Sequence, residues 1–167
     1  MKTKLIFFFF CFISVSAMAQ TSPDPDPPYK RFPTVPPLKL LLMDSSTIFT
    51  DKDLKKNTPL FFILFSPDCE HCKKETEELI DNIDSLKNIQ IVMATFMPFD
   101  KMKEFYNSYQ LNRFTNITVG YDVQHILATY YRISYTPFVA LYDKNGNLIE
   151  GFQGALPLPK VLEYFRN

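Results

Sequence analysis

Apolar residues run without a break through Leu60-Phe61-Phe62-Ile63-Leu64-Phe65, and Ile89 to Phe96 is a second largely apolar stretch. Short runs of this kind mark strands that are covered on both faces. Between them the pattern changes period. Leu79, Ile80, Ile83 and Leu86 share one stripe, which predicts a helix over 72–87. Upstream, strands are expected over 38–43 and 47–50 around the turn Asp44-Ser45-Ser46, as an N-terminal β-hairpin. Thr50 or Asp51 is placed to cap a short helix over 53–56. Downstream the pattern predicts a helix over 100–109, a short strand over 117–119 and a helix over 122–131. Strands over 137–142 and 148–152 then flank the turn Lys144-Asn145-Gly146-Asn147, and a helix over 158–165 closes the chain with Val161, Leu162 and Phe165 inward. The order β-β-α-β-α-β-α-β-α-β-β-α argues an α/β fold, a central sheet with covering helices and an antiparallel hairpin at one edge.

The first 37 residues follow a different rule. Lys2 and Lys4 precede an apolar stretch from Leu5 to Val15, and Ala17-Met18-Ala19 is a small-residue cleavage site. Residues 1–19 therefore read as a signal peptide, with an uncleaved membrane anchor as the rival. The apolar stretch is short for a membrane span, and no later segment is long and apolar enough to be one. Cys11 lies inside the apolar stretch rather than after the cleavage site, which argues against a lipoprotein. Residues 20–37 carry Pro23, Pro25, Pro27, Pro28, Pro33, Pro36 and Pro37 and read as a linker, either a semi-rigid spacer or an arm hugging the surface. The folded domain is expected over 38–167.

Cleavage changes the chemistry on offer. Loss of Lys2 and Lys4 takes Lys+Arg from 18 to 16 against 18 Asp+Glu, a formal charge of −2 on 148 residues. That near-neutral balance, without a basic block, gives no support for nucleic-acid binding. Of three cysteines only Cys69 and Cys72 remain, so an exported chain would have no disulfide framework and would depend on an ordinary core. The remaining pair sits in Ser66-Pro67-Asp68-Cys69-Glu70-His71-Cys72-Lys73-Lys74-Glu75, at the mouth of a helix that follows a buried strand. Two thiols spaced Cys-x-x-Cys can close a small ring, and a helix N-terminus favours a thiolate. This is a site for reversible disulfide chemistry. A zinc site would need four ligands, and beyond the pair only His71 and His125 are on offer. Lys73 rather than His follows Cys72, so the usual c-type haem motif is absent. No cofactor or metal is expected.

Three segments in order carry a resemblance: the strand-Ser66-Pro67-Asp68-Cys69-Glu70-His71-Cys72 stretch, Tyr131-Arg132-Ile133-Ser134-Tyr135-Thr136-Pro137-Phe138, and Leu141-Tyr142-Asp143-Lys144-Asn145-Gly146-Asn147-Leu148. From about residue 38 onward the chain resembles the thioredoxin-like fold, and more narrowly the exported TlpA/ResA-type thiol–disulfide oxidoreductases. The resemblance implies a central mixed β-sheet flanked by helices, with Cys69 as nucleophile and Cys72 as the resolving thiol. It implies a cis Pro137 facing the pair, with the Thr136 backbone pairing with an extended substrate. It places Glu75 near the active site as an acceptor for the Cys72 proton; the alternative is a solvated acid beside Glu77 and Glu78. Thioredoxin proper has a buried Asp in the preceding strand where Ile63 stands here, which adds weight to Glu75.

Glu70 and His71 are the redox-tuning candidates, and they pull in opposite directions. A protonated His71 beside a Cys69 thiolate stabilises the reduced form, while the Glu70 charge opposes it. The Cys-Glu-x-Cys pattern resembles the reductases and the His resembles DsbA-like oxidases. A non-catalytic metal-binding or docking module is a third reading. His125 reads as a rim residue, and the Asn116-Ile117-Thr118 sequon is given no weight. The expected function is an exported, periplasmic or secreted, thiol–disulfide oxidoreductase. Its partners are protein disulfide and dithiol substrates and an upstream thiol redox donor, with the direction leaning to reduction.

Overall fold

The computed structural model describes residues 26–166. The expected signal peptide, and residues 20–25 of the linker, lie outside the described residues. Strand β1 (Lys39–Leu41) pairs antiparallel with β2 (Ile48–Thr50). The apolar runs become β3 (Leu60–Leu64) and β4 (Gln90–Thr95), parallel neighbours in the middle of the sheet. With β5 (Ile117–Asp122), β6 (Phe138–Tyr142) and β7 (Leu148–Gln153) the sheet has seven strands in the order β2-β1-β5-β4-β3-β6-β7. It is mixed: β3, β4 and β5 run parallel, while β6, β7 and β1 run against their neighbours.

Alternation along β3 divides the core in two. Phe61 and Ile63 face the layer formed by α2 (Glu70–Asp81), α3 (Phe99–Ser108) and α5 (Leu158–Arg166), through Leu79, Met102, Phe105 and Val161. Leu60, Phe62 and Leu64 face the other layer, which holds α1 (Pro28–Arg31) and α4 (Leu127–Tyr130). Every residue of β3, β4 and β6 is buried, as their apolar runs require.

The structure corrects several expected boundaries. The Cys helix starts at Glu70 rather than Cys72 and stops at Asp81, and a 3-10 turn over Ile83–Leu86 carries the rest of its stripe. The helix expected over 53–56 is instead a single 3-10 turn, Asp51–Asp53, in which the Asp53 carboxylate takes both the Thr50 N–H and its hydroxyl at 2.8 Å. The helix expected over 122–131 shrinks to α4. Pairing with β1 and β4 carries β5 out to Asp122. The buried Asp122 carboxylate then accepts the N–H groups of Gln124 and Leu127, and His125 turns through φ +55°. Strand pairing and a carboxylate-bonded turn thus take the residues that helical periodicity would claim.

The described part of the proline-rich arm lies on the domain. Its carbonyls serve as acceptors where its prolines cannot donate. Leu148 N–H donates to Pro33 O (2.8 Å), and the Tyr130 hydroxyl donates to Phe32 O (2.9 Å). Val35 N–H donates to Gly146 O (3.1 Å). Tyr29 of α1 is buried with its ring 5.4 Å from Phe138 and 5.7 Å from Tyr131. It fits because residue 151 is glycine: a Cβ there would stand 2.7 Å from the Tyr29 ring. Tyr29→Ala is therefore expected to lower unfolding stability by about 3 kcal/mol, measured by urea denaturation. Unchanged stability would mean that the arm is not part of the folded unit.

Candidate active site

Chain direction places the site. β3 ends at Leu64, Ser66-Pro67 breaks the strand, and Cys69 becomes the N-cap residue of α2 with extended backbone (φ −86°, ψ 120°). Cys69 N–H donates to Ser66 O (3.1 Å), and Cys69 O accepts from Lys73 N–H (3.1 Å), so the loop and the first helical turn hold the residue from both sides. Cys72 falls inside the first turn, 1% exposed, and its sulfur accepts the Ser66 N–H at 3.5 Å. Both thiols are free.

Opposite them stands the loop that enters β6. The Thr136–Pro137 peptide is cis, and the Cys69 thiol donates to Thr136 O at 3.2 Å. Cys69, Cys72 and Thr136, distant in the chain, thus form one cluster, with buried Pro137 beside it. The two thiols differ in character. Partial burial pushes Cys69 up, but donors from the Cys72 N–H and thiol, the Thr136 hydroxyl and the His71 N–H outweigh it, so its pKa falls below the usual value. Burial pushes the Cys72 thiol up to about 12, and the adjacent Cys69 adds to that. The outer thiol ionises readily and the inner one holds its proton.

The tuning pair faces solvent. Glu70 is exposed and bonded to Lys73 at 2.7 Å, and the Lys73 ammonium holds its carboxyl below the ordinary value. His71 is exposed as well. On the α3 side, Asp68 is 3.6 Å from Lys101. His125 lies past the end of β5, its Nε2 2.7 Å from the Tyr121 hydroxyl. The Asn116 side chain is turned inward, its amide donating to Leu86 O and Ile89 O. Among the described residues no group of three or more His, Cys, Asp or Glu is placed to hold a metal.

Glu75 is not solvated. It lies one turn beyond Cys72, only 6% exposed, with Oε1 accepting the Leu156 N–H at 3.2 Å. Its Oε2 is buried and has no hydrogen-bond partner among the described residues. Burial raises its pKa from 4.5 to about 7, and the nearby Glu78 charge adds to this. Sequence reasoning missed three contacts that build the site around α2: the Leu156 N–H on Glu75, the Ser66 N–H on the Cys72 sulfur, and the Glu78 carboxylate as acceptor of the Leu158 N–H at 3.0 Å. The donors are backbone groups, which residue identity does not advertise, and Leu156 and Leu158 lie some 80 residues from α2.

A raised carboxyl pKa has a definite consequence for stability. The folded state holds the Glu75 proton where the unfolded state has released it. The Glu75 contribution is therefore fully present below pH 4.5, declines as pH rises to about 7, and is level above that. The gap corresponds to about 3 kcal/mol. Glu75→Gln is expected to flatten the urea-stability profile across this interval, becoming more stable relative to the parent as pH rises. Parallel profiles would show that Glu75 titrates normally.

Comparison with known proteins agrees with the geometry. A family model described as a thioredoxin-like domain matches residues 50–167. The chain is similar in structure to StoA from Bacillus subtilis (TM-score 0.60, 16% identity, covering 79% of this chain and 98% of that one). It is also similar to a secreted Mycobacterium tuberculosis disulfide oxidoreductase (0.61, 17%, 77% and 92%). Peroxidoxin BcpB from the same organism gives 0.66 at 15% identity, covering 80% and 94%. No curated protein matches the chain.

Proposed function

Since the chain belongs to the thioredoxin-like domain family, we propose that it is an exported thiol–disulfide oxidoreductase that reduces protein disulfides through Cys69 and Cys72. The observation that carries this reading is the unequal thiol pair: one at the helix mouth with a lowered pKa, the other buried and pushed up to about 12. The Cys69 thiolate attacks one sulfur of a substrate disulfide. A Cys69–substrate S–S bond forms, and the other substrate sulfur leaves as a thiolate that takes a proton from water. Cys72 then gives up its proton and attacks the Cys69 sulfur, closing the Cys69–Cys72 disulfide and releasing the second substrate thiol. The substrate gains two electrons and the pair loses two; a dithiol donor upstream restores it.

Glu75 is the acceptor for the Cys72 proton in this reading. It is buried one helical turn away, has one oxygen without a partner, and its pKa of about 7 suits a group that takes and returns a proton near neutrality. The half-buried Thr136 supplies the backbone that an extended substrate segment would pair with beside Cys69, with Pro137 buried behind it.

Reduction is favoured over oxidation because Glu70 and His71 both face solvent, where charges are screened. The His71 side chain therefore adds little to the stability of a Cys69 thiolate, and the stabilisation that would make the couple strongly oxidising is weak. Export is supported by the signal-like pattern over 1–19 and by a structural neighbour described as secreted. Among the described residues no helix is long and apolar enough to cross a membrane.

Equilibration with glutathione buffers of known poise tests the direction. A potential of about −270 mV is expected, the thioredoxin end of the range, and a value of about −120 mV would make the protein an oxidase. In the same buffers Cys72→Ala is expected to stop at a mixed disulfide between Cys69 and glutathione, read by mass. A modified protein whose glutathione is not on Cys69 would reverse the assigned roles.

A further inference from the structure

Four large apolar side chains stand well exposed among the described residues: Phe32, Ile48, Ile126 and Tyr135. Single exposed hydrophobics are ordinary. Tyr135 differs by position. It directly precedes Thr136, whose carbonyl accepts the Cys69 thiol at 3.2 Å, and the residue is 60% exposed.

The loop that carries it is braced on both sides. Ser134 N–H donates to the Gln153 side-chain oxygen (3.1 Å), and the Gln153 amide returns a bond to Arg132 O (3.1 Å). Past the ring, Gly154 N–H donates to Pro137 O at 2.8 Å. Gly154 has φ +93°, and a Cβ there would lie 3.5 Å from the Tyr135 ring, so the ring rests over glycine backbone. A large aromatic side chain is thus held in place at the rim of the thiol cluster without being buried. Asp68, the residue before Cys69, is by contrast paired with Lys101 at 3.6 Å. Aromatic groups on braced loops make effective contact anchors because little rotamer freedom is lost on binding.

We propose that Tyr135 is a specificity-determining residue that contacts an apolar side chain next to the attacked cysteine of an extended polypeptide substrate. The inference rests on the oxidoreductase reading above and names the substrate class for the same site. A chain running past Thr136 with its sulfur at Cys69 brings its neighbouring side chain to the Tyr135 ring. Substrates with an apolar neighbour are preferred there over those with a polar or acidic one.

The test uses synthetic peptides with one internal disulfide and Phe, Leu, Ser or Asp beside the attacked cysteine, reduced by the protein with dithiothreitol as electron source. For the unaltered protein, kcat/KM for the Phe and Leu peptides is expected to exceed that for the Ser peptide by roughly tenfold. Tyr135→Ser is expected to abolish that ratio and Tyr135→Phe to keep it. Equal rates across the peptides with the unaltered protein overturn the proposal, and that arm does not depend on how any variant folds. A preference that survives Tyr135→Ser overturns it as well. Failure to reduce any of the four peptides overturns the oxidoreductase reading itself, and the proposal falls with it.

Discussion

The structure depends on one boundary, the point where β3 leaves the core and α2 begins. A thiol one turn into the helix is buried by the sheet, and a thiol at its cap is not. That difference in solvation separates two chemically identical groups. Burial holds the Cys72 proton, while the backbone and hydroxyl donors around Cys69 stabilise its anion. Without the unbroken apolar run of β3 to set the depth of the helix start, the two sulfurs would share one environment and one reactivity.

Much of the remaining fold braces this boundary from the far side. Antiparallel β6 lies against β3 in register from Leu60–Tyr142 to Leu64–Phe138, which brings Thr136 opposite the helix mouth. The proline-rich arm backs β6 through Tyr29, and its carbonyls anchor to β7 and Tyr130. From α2, Glu75 and Glu78 reach the N–H groups of Leu156 and Leu158, tying the helix that carries Cys72 to the entry of α5. Glu75 serves this tie with only one of its oxygens, and an acid buried with its second oxygen unpaired is poised to be protonated.

What the sequence made legible follows from range. The strands β3, β4 and β6 could be read because full burial writes itself as apolar runs, and the thiol pair because its spacing is local. Features set by distant partners could not. The resemblance singles out Glu75 among the acids of α2, but its burial and its unpaired oxygen depend on the loop at Leu156, far along the chain. The prolines of the arm leave a spacer and a surface-hugging arm equally open, and what decides is Tyr29, which finds its place through the missing side chain of Gly151. The helix expected over 122–131 fails because Asp122 pairs with Leu40 of β1 and its carboxylate then takes the Gln124 and Leu127 N–H groups. Glu70 and His71 read as opposed redox-tuning candidates in the sequence, and their shared exposure is visible only in the fold.

The central claim, that burial holds the Cys72 proton while the donors around Cys69 favour its thiolate, is tested most directly by following thiolate ultraviolet absorbance against pH in the fully reduced protein. Two separate steps are expected, the first below the ordinary thiol value of 9.0 and the second not until the pH approaches about 12. A single step in which both thiols ionise together near 9.0 would contradict it.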